Sequence, residues 1–165
     1  MRIHDDHMYH GAALIQIAEH PQFTAINSLK VGGAVVRTAY KINDEIVVYL
    51  KYRRKPTLTY KEYSFTFHQA QLVELSKIAV NAKTFIALVC VKERDICCIS
   101  YGQLQDLIGR RKTFNGGPEN QYTILVTAQK GRRLRVYVNA PGVHGKMLGD
   151  EIVISRRAFP SVIFG

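Results

Sequence analysis

The amino-acid sequence predicts an α+β or mixed α/β fold, with a central mixed sheet flanked by helices and a C-terminal β-hairpin extension. Apolar residues alternate with period two over residues 34–42 and line both faces of 45–53, the patterns of a half-buried and a central strand. Helical spacing interrupts the strands at 11–20 and 69–82, and β-like patterning returns after residue 121. Strands broken by helices bury both sets of apolar faces when the helices pack on a sheet.

Each element has its own signal. In 11–20, Ala12, Ile15 and Ala18 recur one turn apart with Leu14 beside them, and Pro21 closes the helix. Over 34–42, Ala34, Val36, Thr38, Tyr40 and Ile42 share one face. Asn43 and Asp44 tolerate positive φ and make a hairpin turn, from which 45–53 returns. Pro56 ends that strand, and EYSFTF at 62–67 forms a third. Leu72, Leu75, Ile78, Ala79 and Ala82 give an amphipathic helix over 69–82. Residues 85–91 and 96–99 read as two strands around the turn Glu93-Arg94-Asp95.

Ser100 and Gln103 have capping-box spacing for a short helix ending near Gly109, before a polar loop over 110–120. Strands follow at 122–128, at 134–138 beyond a Lys130-Gly131 turn, and at 151–154. The chain of 165 residues is sized for one domain. Its α/β core spans 11–110, and a β-rich extension over 121–165 packs on it, since a tail of about 45 residues is too small to hold its own core.

Composition narrows the function. Hydrophobic residues make up 47% and charged residues 22%, which excludes disordered, collagen-like and coiled-coil chains. The longest apolar run, 85–91, is far short of the roughly 20 residues that cross a bilayer, so no membrane is expected. MRIHDDHMYH has no apolar stretch of the kind a secretory leader carries. Cys90, Cys97 and Cys98 are an odd set on apolar stretches, which predicts buried thiols in a reducing cytoplasm. Twenty-three Lys and Arg against thirteen Asp and Glu give a net charge of +10. A field of that sign concentrates polyanions, and DNA or RNA is the expected partner.

From the second strand onward the order resembles the PD-(D/E)XK nuclease superfamily, the restriction-endonuclease-like fold. IVVYLKYR at 46–53 is similar to that family's acid-x-Lys strand. YSFTFHQAQLVEL is similar to the strand, Gln and helix that follow it, with Gln69 or Gln71 as the Gln, and FIALVCV to the next strand. The similarity spans about residues 11–100. It implies that Lys51 is the family's lysine and, in an active member, that a carboxylate two residues earlier holds Mg²⁺.

That position is Tyr49, and 35–41 contains no Asp or Glu. Glu45 shares a face with Lys51, but six residues at about 3.4 Å each put it roughly 20 Å away. One remaining carboxylate, such as Glu19, makes a poor magnesium site. The resemblance therefore implies a catalytically inactive module, acting as a subunit of a DNA or RNA processing or defence assembly, with no cofactor and no catalytic residue assigned. An active nuclease would need Mg²⁺, Lys51 and acids from elsewhere, such as Glu19, Asp44 or Glu62.

Other constellations carry less. His7 and His10 would share a helical face and could hold zinc, but they lack hydrolase spacing, and no metal is expected. Cys97 and Cys98 leave opposite faces of a strand, which predicts inert core thiols. Gly116-Gly117-Pro118 and Gly32-Gly33 open no helix, so neither is a phosphate loop.

The basic runs are the strongest signal. Lys51, Arg53, Arg54 and Lys55 form one, interleaved with Tyr49 and Tyr52. Arg110, Arg111 and Lys112 form another. Lys130, Arg132, Arg133 and Arg135 sit on a hairpin with Tyr137. These eleven cations are the expected phosphate-binding set, and Arg156 and Arg157 add charge near the C-terminus. The segment AFPSVIFG either folds back on the core or docks on a protein partner. In the latter case the chain is an adaptor or inhibitor with no nucleic-acid ligand.

Overall fold

The computed structural model of the chain describes residues 1–165 and contains two sheets. Helix α1 (Asp5–Ala18) leads into strands β1 (Ile26–Val31), β2 (Ala34–Ile42), β3 (Ile46–Arg53) and β4 (Glu62–His68). Helix α2 (Gln69–Ala79) precedes β5 (Lys83–Cys90), β6 (Asp95–Ser100) and helix α3 (Tyr101–Asn115). Strands β7 (Gln121–Thr127), β8 (Leu134–Tyr137) and β9 (Ile152–Ile154) follow, with a closing 3₁₀ turn over Ser161–Phe164. The fold is α+β. No helix is long and apolar enough to cross a membrane.

The first sheet has the order β1-β2-β3-β5-β6. β1 to β3 form an antiparallel meander, β5 pairs with β3 in parallel, and β6 returns antiparallel. The central place of β3 explains its doubly apolar pattern, with 46–50 wholly buried. The turn before it follows the expected chemistry. Asn43 and Asp44 take φ of 52° and 63°, and the Asn43 carboxamide accepts from the Thr24 and Ala25 amides and donates to the Gln22 carbonyl.

The sequence reading overlooked β1. Gly32-Gly33 joins it to β2 with both φ positive, the signature of a two-residue hairpin.

The second sheet has the order β4-β7-β8-β9, all antiparallel. The EYSFTF strand therefore leaves the central sheet and pairs with β7, which makes the expected C-terminal hairpin part of a four-stranded layer. Its inward Tyr63, Phe65 and Phe67 are the cause. All three are buried in one core shared with Val47, Tyr49, Ile86 and Leu88 of the first sheet and with Leu104 and Leu107 of α3. Each fully buried Phe or Leu is worth about 1.5–3 kcal/mol, so β4 is held where these rings are covered.

The opposite face of the first sheet carries α1 and the C-terminus, with Val48, Leu50 and Ala87 packed against Ala13, Ile17, Phe159 and Ile163. One expectation is corrected on this face. The buried stripe of α1 is His10, Ala13 and Ile17, while Ile15 points to solvent. Of the two readings of AFPSVIFG, the fold-back on the core is the one seen: Phe159 and Ile163 are buried, and Phe164 stacks on His20 at 4.4 Å.

Helix α3 starts at the expected capping box, with Ser100 Oγ accepting from the Gln103 amide and Gln103 Oε1 from the Ser100 amide. It continues past Gly109 to Asn115, where Gly116 ends it at φ 73°. The run 110–112 is thus helical, not loop.

Candidate nucleic-acid interface

Three connections meet at one end of the molecule. The β3–β4 loop brings Lys55 and Lys61, the β5–β6 turn brings Lys92, and the β7–β8 turn brings Lys130. All four lysines line a cleft of about 420 Å³. Parallel pairing of β3 with β5, in register from Ile46↔Lys83 to Arg53↔Cys90, puts the first two connections side by side. The third is tied down by Arg156, whose guanidinium donates to the carbonyls of Gln129 and Arg132 and to the Asp95 carboxylate. Gly131 takes φ 75°, as a turn closed from the Arg132 amide to the Gln129 carbonyl requires.

Beside the lysine cleft lies a second groove of about 310 Å³, lined by Arg132, Arg133, Arg156 and Arg157 with no apolar side chain. None of Lys55, Lys61, Lys92, Lys130, Arg132, Arg133 and Arg157 forms an ion pair; the five pairs in the molecule use Arg54, Arg110, Arg111, Arg135 and Arg156. Glu93 is the sole acid lining the lysine cleft, and one of its carboxylate oxygens is buried without a partner. Lys61 and Arg94 hold left-handed φ of 54° and 57°, a conformation that costs a non-glycine residue about 1–2 kcal/mol.

The eleven predicted cations divide between surface and scaffold. Lys55, Lys130, Arg132 and Arg133 come together at this end. Arg53 is exposed at the end of β3, and Arg54 pairs loosely with Asp5 at 3.8 Å. Arg110 and Arg111 brace the 139–150 segment. Arg110 donates to the carbonyls of Leu148 and Asp150 and pairs with Asp106 at 2.8 Å; Arg111 grips both oxygens of Glu119 at 2.9 and 2.5 Å and donates to the Asn139 carbonyl. Lys112 lies over the Tyr122 ring at the far end of α3. Arg135 pairs with Glu151 on the outer face of the second sheet. The reading from sequence missed Lys61 and Lys92, which are single lysines in turns and belong to no basic run.

Lys51 is turned into the gap between the layers. Its Nζ donates to Gln71 Oε1 at 3.4 Å and lies 4.7 Å from the centre of the Phe67 ring, and burial lowers its pKa. Neighbouring Tyr49 is pushed above the usual tyrosine range by burial first, with Glu74 of α2 adding to the shift. Glu74 is thus a carboxylate near the Lys51 strand that the sequence reading did not consider.

Glu19 caps the C-terminus of α1, Asp44 sits in the β2–β3 turn and Glu62 lies on the second sheet. No three His, Cys, Asp or Glu side chains converge as a metal would require. His10 is buried edge-on to Tyr52, and burial lowers its pKa despite Asp6. His4 and His7 instead cap α1.

No protein-family model, curated protein or solved structure matches this chain.

Proposed function

We propose that the chain binds DNA or RNA through its phosphates, gripping the backbone with Lys55, Lys61, Lys92 and Lys130 in the cleft and with Arg132, Arg133 and Arg157 in the adjoining groove. The observation that carries this reading is the convergence of unpaired cations from three separate connections onto one end of the fold. Like charges held together without carboxylate partners repel one another, and a polyanion relieves that repulsion while releasing its condensed counterions. Contacts of this kind fix position on the backbone and carry no sequence information.

The restriction-endonuclease-like resemblance stays within the proposal on element order alone: α1, the β1–β3 meander, then α2 and the parallel β5. Tyr49 at the acid position and the inward Lys51–Gln71 contact favour binding without cleavage.

The test is fluorescence anisotropy with labelled single- and double-stranded DNA and RNA at about 50 and 200 mM salt, where phosphate-driven binding falls steeply. Mg²⁺ is added in parallel, and the probes are inspected for cleavage afterwards. Salt-sensitive binding with intact probes supports the proposal. Absence of binding at the lower salt would overturn it, and cut probes would replace it with a nuclease.

A further inference from the structure

The outer face of the second sheet carries a built cleft of about 370 Å³, at the small end of the roughly 300–1,000 Å³ typical of small-ligand sites. Register creates it. Glu62 of β4 lies opposite Thr127 of β7, which lies opposite Arg135 of β8, so the three side chains share the outward face. Tyr137, two residues on from Arg135, joins them. The 139–150 segment, braced by Arg110 and Arg111, covers one side with Asn139 and Met147.

Two groups in this cleft have acceptor capacity to spare. Glu62 is only 6% exposed, accepts a hydrogen bond from the Tyr137 hydroxyl, and has no cation within ion-pair distance, because Arg135 is engaged with Glu151. Its one side-chain donor is neutral and sits on a single oxygen, and each carboxylate oxygen can accept twice, which leaves room for a ligand's donors. Asn139 is 9% exposed, and its Oδ1 has no hydrogen-bond partner. Both call for N–H donors from outside. A small cation would neutralise Glu62 instead, but Arg132 and Arg133 line the same cleft and repel it. The matching ligand is a neutral, donor-rich edge attached to an anion.

Guanine on a nucleotide has that character. Its pairing edge presents two adjacent N–H donors, which suit a carboxylate. Adenine and cytosine place an acceptor beside their amino group, and uracil and thymine flank their single N–H with carbonyls, so each of these meets Glu62 with repulsion. Tyr60, stacked on His144 at 4.4 Å and 10° between planes, adds a flat aromatic wall. Gln129 lines both this cleft and the lysine cleft. A strand gripped there by its phosphates can therefore turn an unpaired base onto the sheet, where aromatic stacking holds single-stranded bases.

We propose that this cleft binds an unpaired guanine of single-stranded nucleic acid, with Glu62 and Asn139 accepting from the base and Arg132 and Arg133 holding its phosphate. The proposal rests on the nucleic-acid reading above and adds base selectivity to it.

The experiment compares the affinity of a thymidine oligomer with that of the same oligomer carrying central guanines, and repeats the pair with uridine-based RNA. Wild-type protein should prefer the guanine probes by roughly ten-fold or more, the scale of a good two-pronged base contact. Glu62→Gln, which turns one acceptor into a donor, should shrink that ratio below about two-fold. Lys55→Glu should weaken both probes and leave the ratio standing. Salt-sensitive binding with equal affinity for the two probes overturns the guanine site while the phosphate reading survives; no binding to either overturns both.

Should Glu62→Gln fail to fold, as thermal unfolding would reveal, the wild-type chain is titrated with GMP and UMP and followed by tyrosine emission. Saturation by GMP at concentrations where UMP has no effect supports the site, and identical responses overturn it.

Discussion

Lys51 donates to Gln71 Oε1 at 3.4 Å, and the same oxygen accepts from the His68 amide at 2.9 Å at the start of α2. The lysine that most suggests phosphate chemistry in the sequence is therefore part of the joint between β3, β4 and α2. It has no carboxylate partner, and burial disfavours its charge. Lys51→Met keeps the length of the side chain and removes the buried ammonium. This variant should unfold at the same denaturant concentration as wild type or higher, because apolar replacement of a poorly compensated buried charge is often neutral or stabilising. Its affinity for nucleic acid should stay within about two-fold of wild type, since single cations far from the backbone contribute little at physiological salt. Abolition of Mg²⁺-dependent cutting in this variant would instead mark Lys51 as catalytic.

The division of arginines into paired and unpaired sets yields opposite phenotypes. Charge reversal at Arg132 and Arg133 should weaken binding to every probe and flatten the dependence of log affinity on log salt by roughly two. Unfolding should be little changed, because both side chains are exposed and unpaired. Arg111→Ala should do the reverse in the unfolding assay. It strips Glu119 of a two-pronged partner and leaves the Asn139 carbonyl without its donor, at about 2–3 kcal/mol. Equal binding by the double reversal would show that the arginine groove makes no phosphate contact.

The sequence makes local features legible and long-range assembly much less so. Asn43-Asp44 and the Ser100–Gln103 box are short-range devices whose chemistry is complete within a few residues, and both form as read. Cys97 and Cys98 do enter opposite cores, because alternation along a strand leaves no choice. Nothing local in EYSFTF says which sheet will cover its rings. The α1 stripe departs from its apolar spacing because His10, a polar residue, takes a buried place beside Tyr52, while Ile15 is left in solvent. The candidate interface has the same character. Lys61 and Lys92 lie 31 positions apart in sequence and meet only because β3 and β5 run parallel.

Alkaline pH should destabilise the protein through its thiols. Burial raises Cys90 and Cys98 to about 12 and Cys97 well above the ordinary value of 9.0. A group whose pKa is raised by folding contributes its full stability below the unfolded value. It loses that contribution as pH climbs toward the folded value, for Cys90 and Cys98 from about 9 to about 12, at about 1.4 kcal/mol per pH unit for each thiol. Lys51 works in the opposite sense: its pKa is lowered by folding, so rising pH favours the fold until about 10.4. Three thiols, joined nearer pH 10 by Tyr49 and Tyr137, which burial also raises, outweigh one ammonium and leave a net loss. Urea unfolding at about pH 8, 9 and 10 should show falling stability above pH 9, and Cys98→Ala should make that fall shallower by about one thiol's share. A flat profile would mean that the thiols ionise as readily in the fold as out of it.

Lys61 carries a conflict between backbone and charge. At φ 54° it occupies a region that glycine enters freely, while its amide donates to the Thr57 carbonyl at 2.9 Å and closes the loop that bears the lysine cleft. Lys61→Gly should remove the steric penalty and raise stability. The gain should be no more than about 1 kcal/mol, because glycine also gives the unfolded chain more freedom to lose. The same substitution deletes one of the four lysines lining the cleft, so affinity should drop for all probes and the salt slope should shrink by about one. Lys61→Asn separates the two effects: asparagine tolerates the left-handed conformation better than lysine but brings no charge. If both variants gain stability and lose affinity, the strained backbone is retained for the ammonium it presents. If affinity persists in both, the cleft grips phosphate without Lys61, and the left-handed residue serves only to turn the loop.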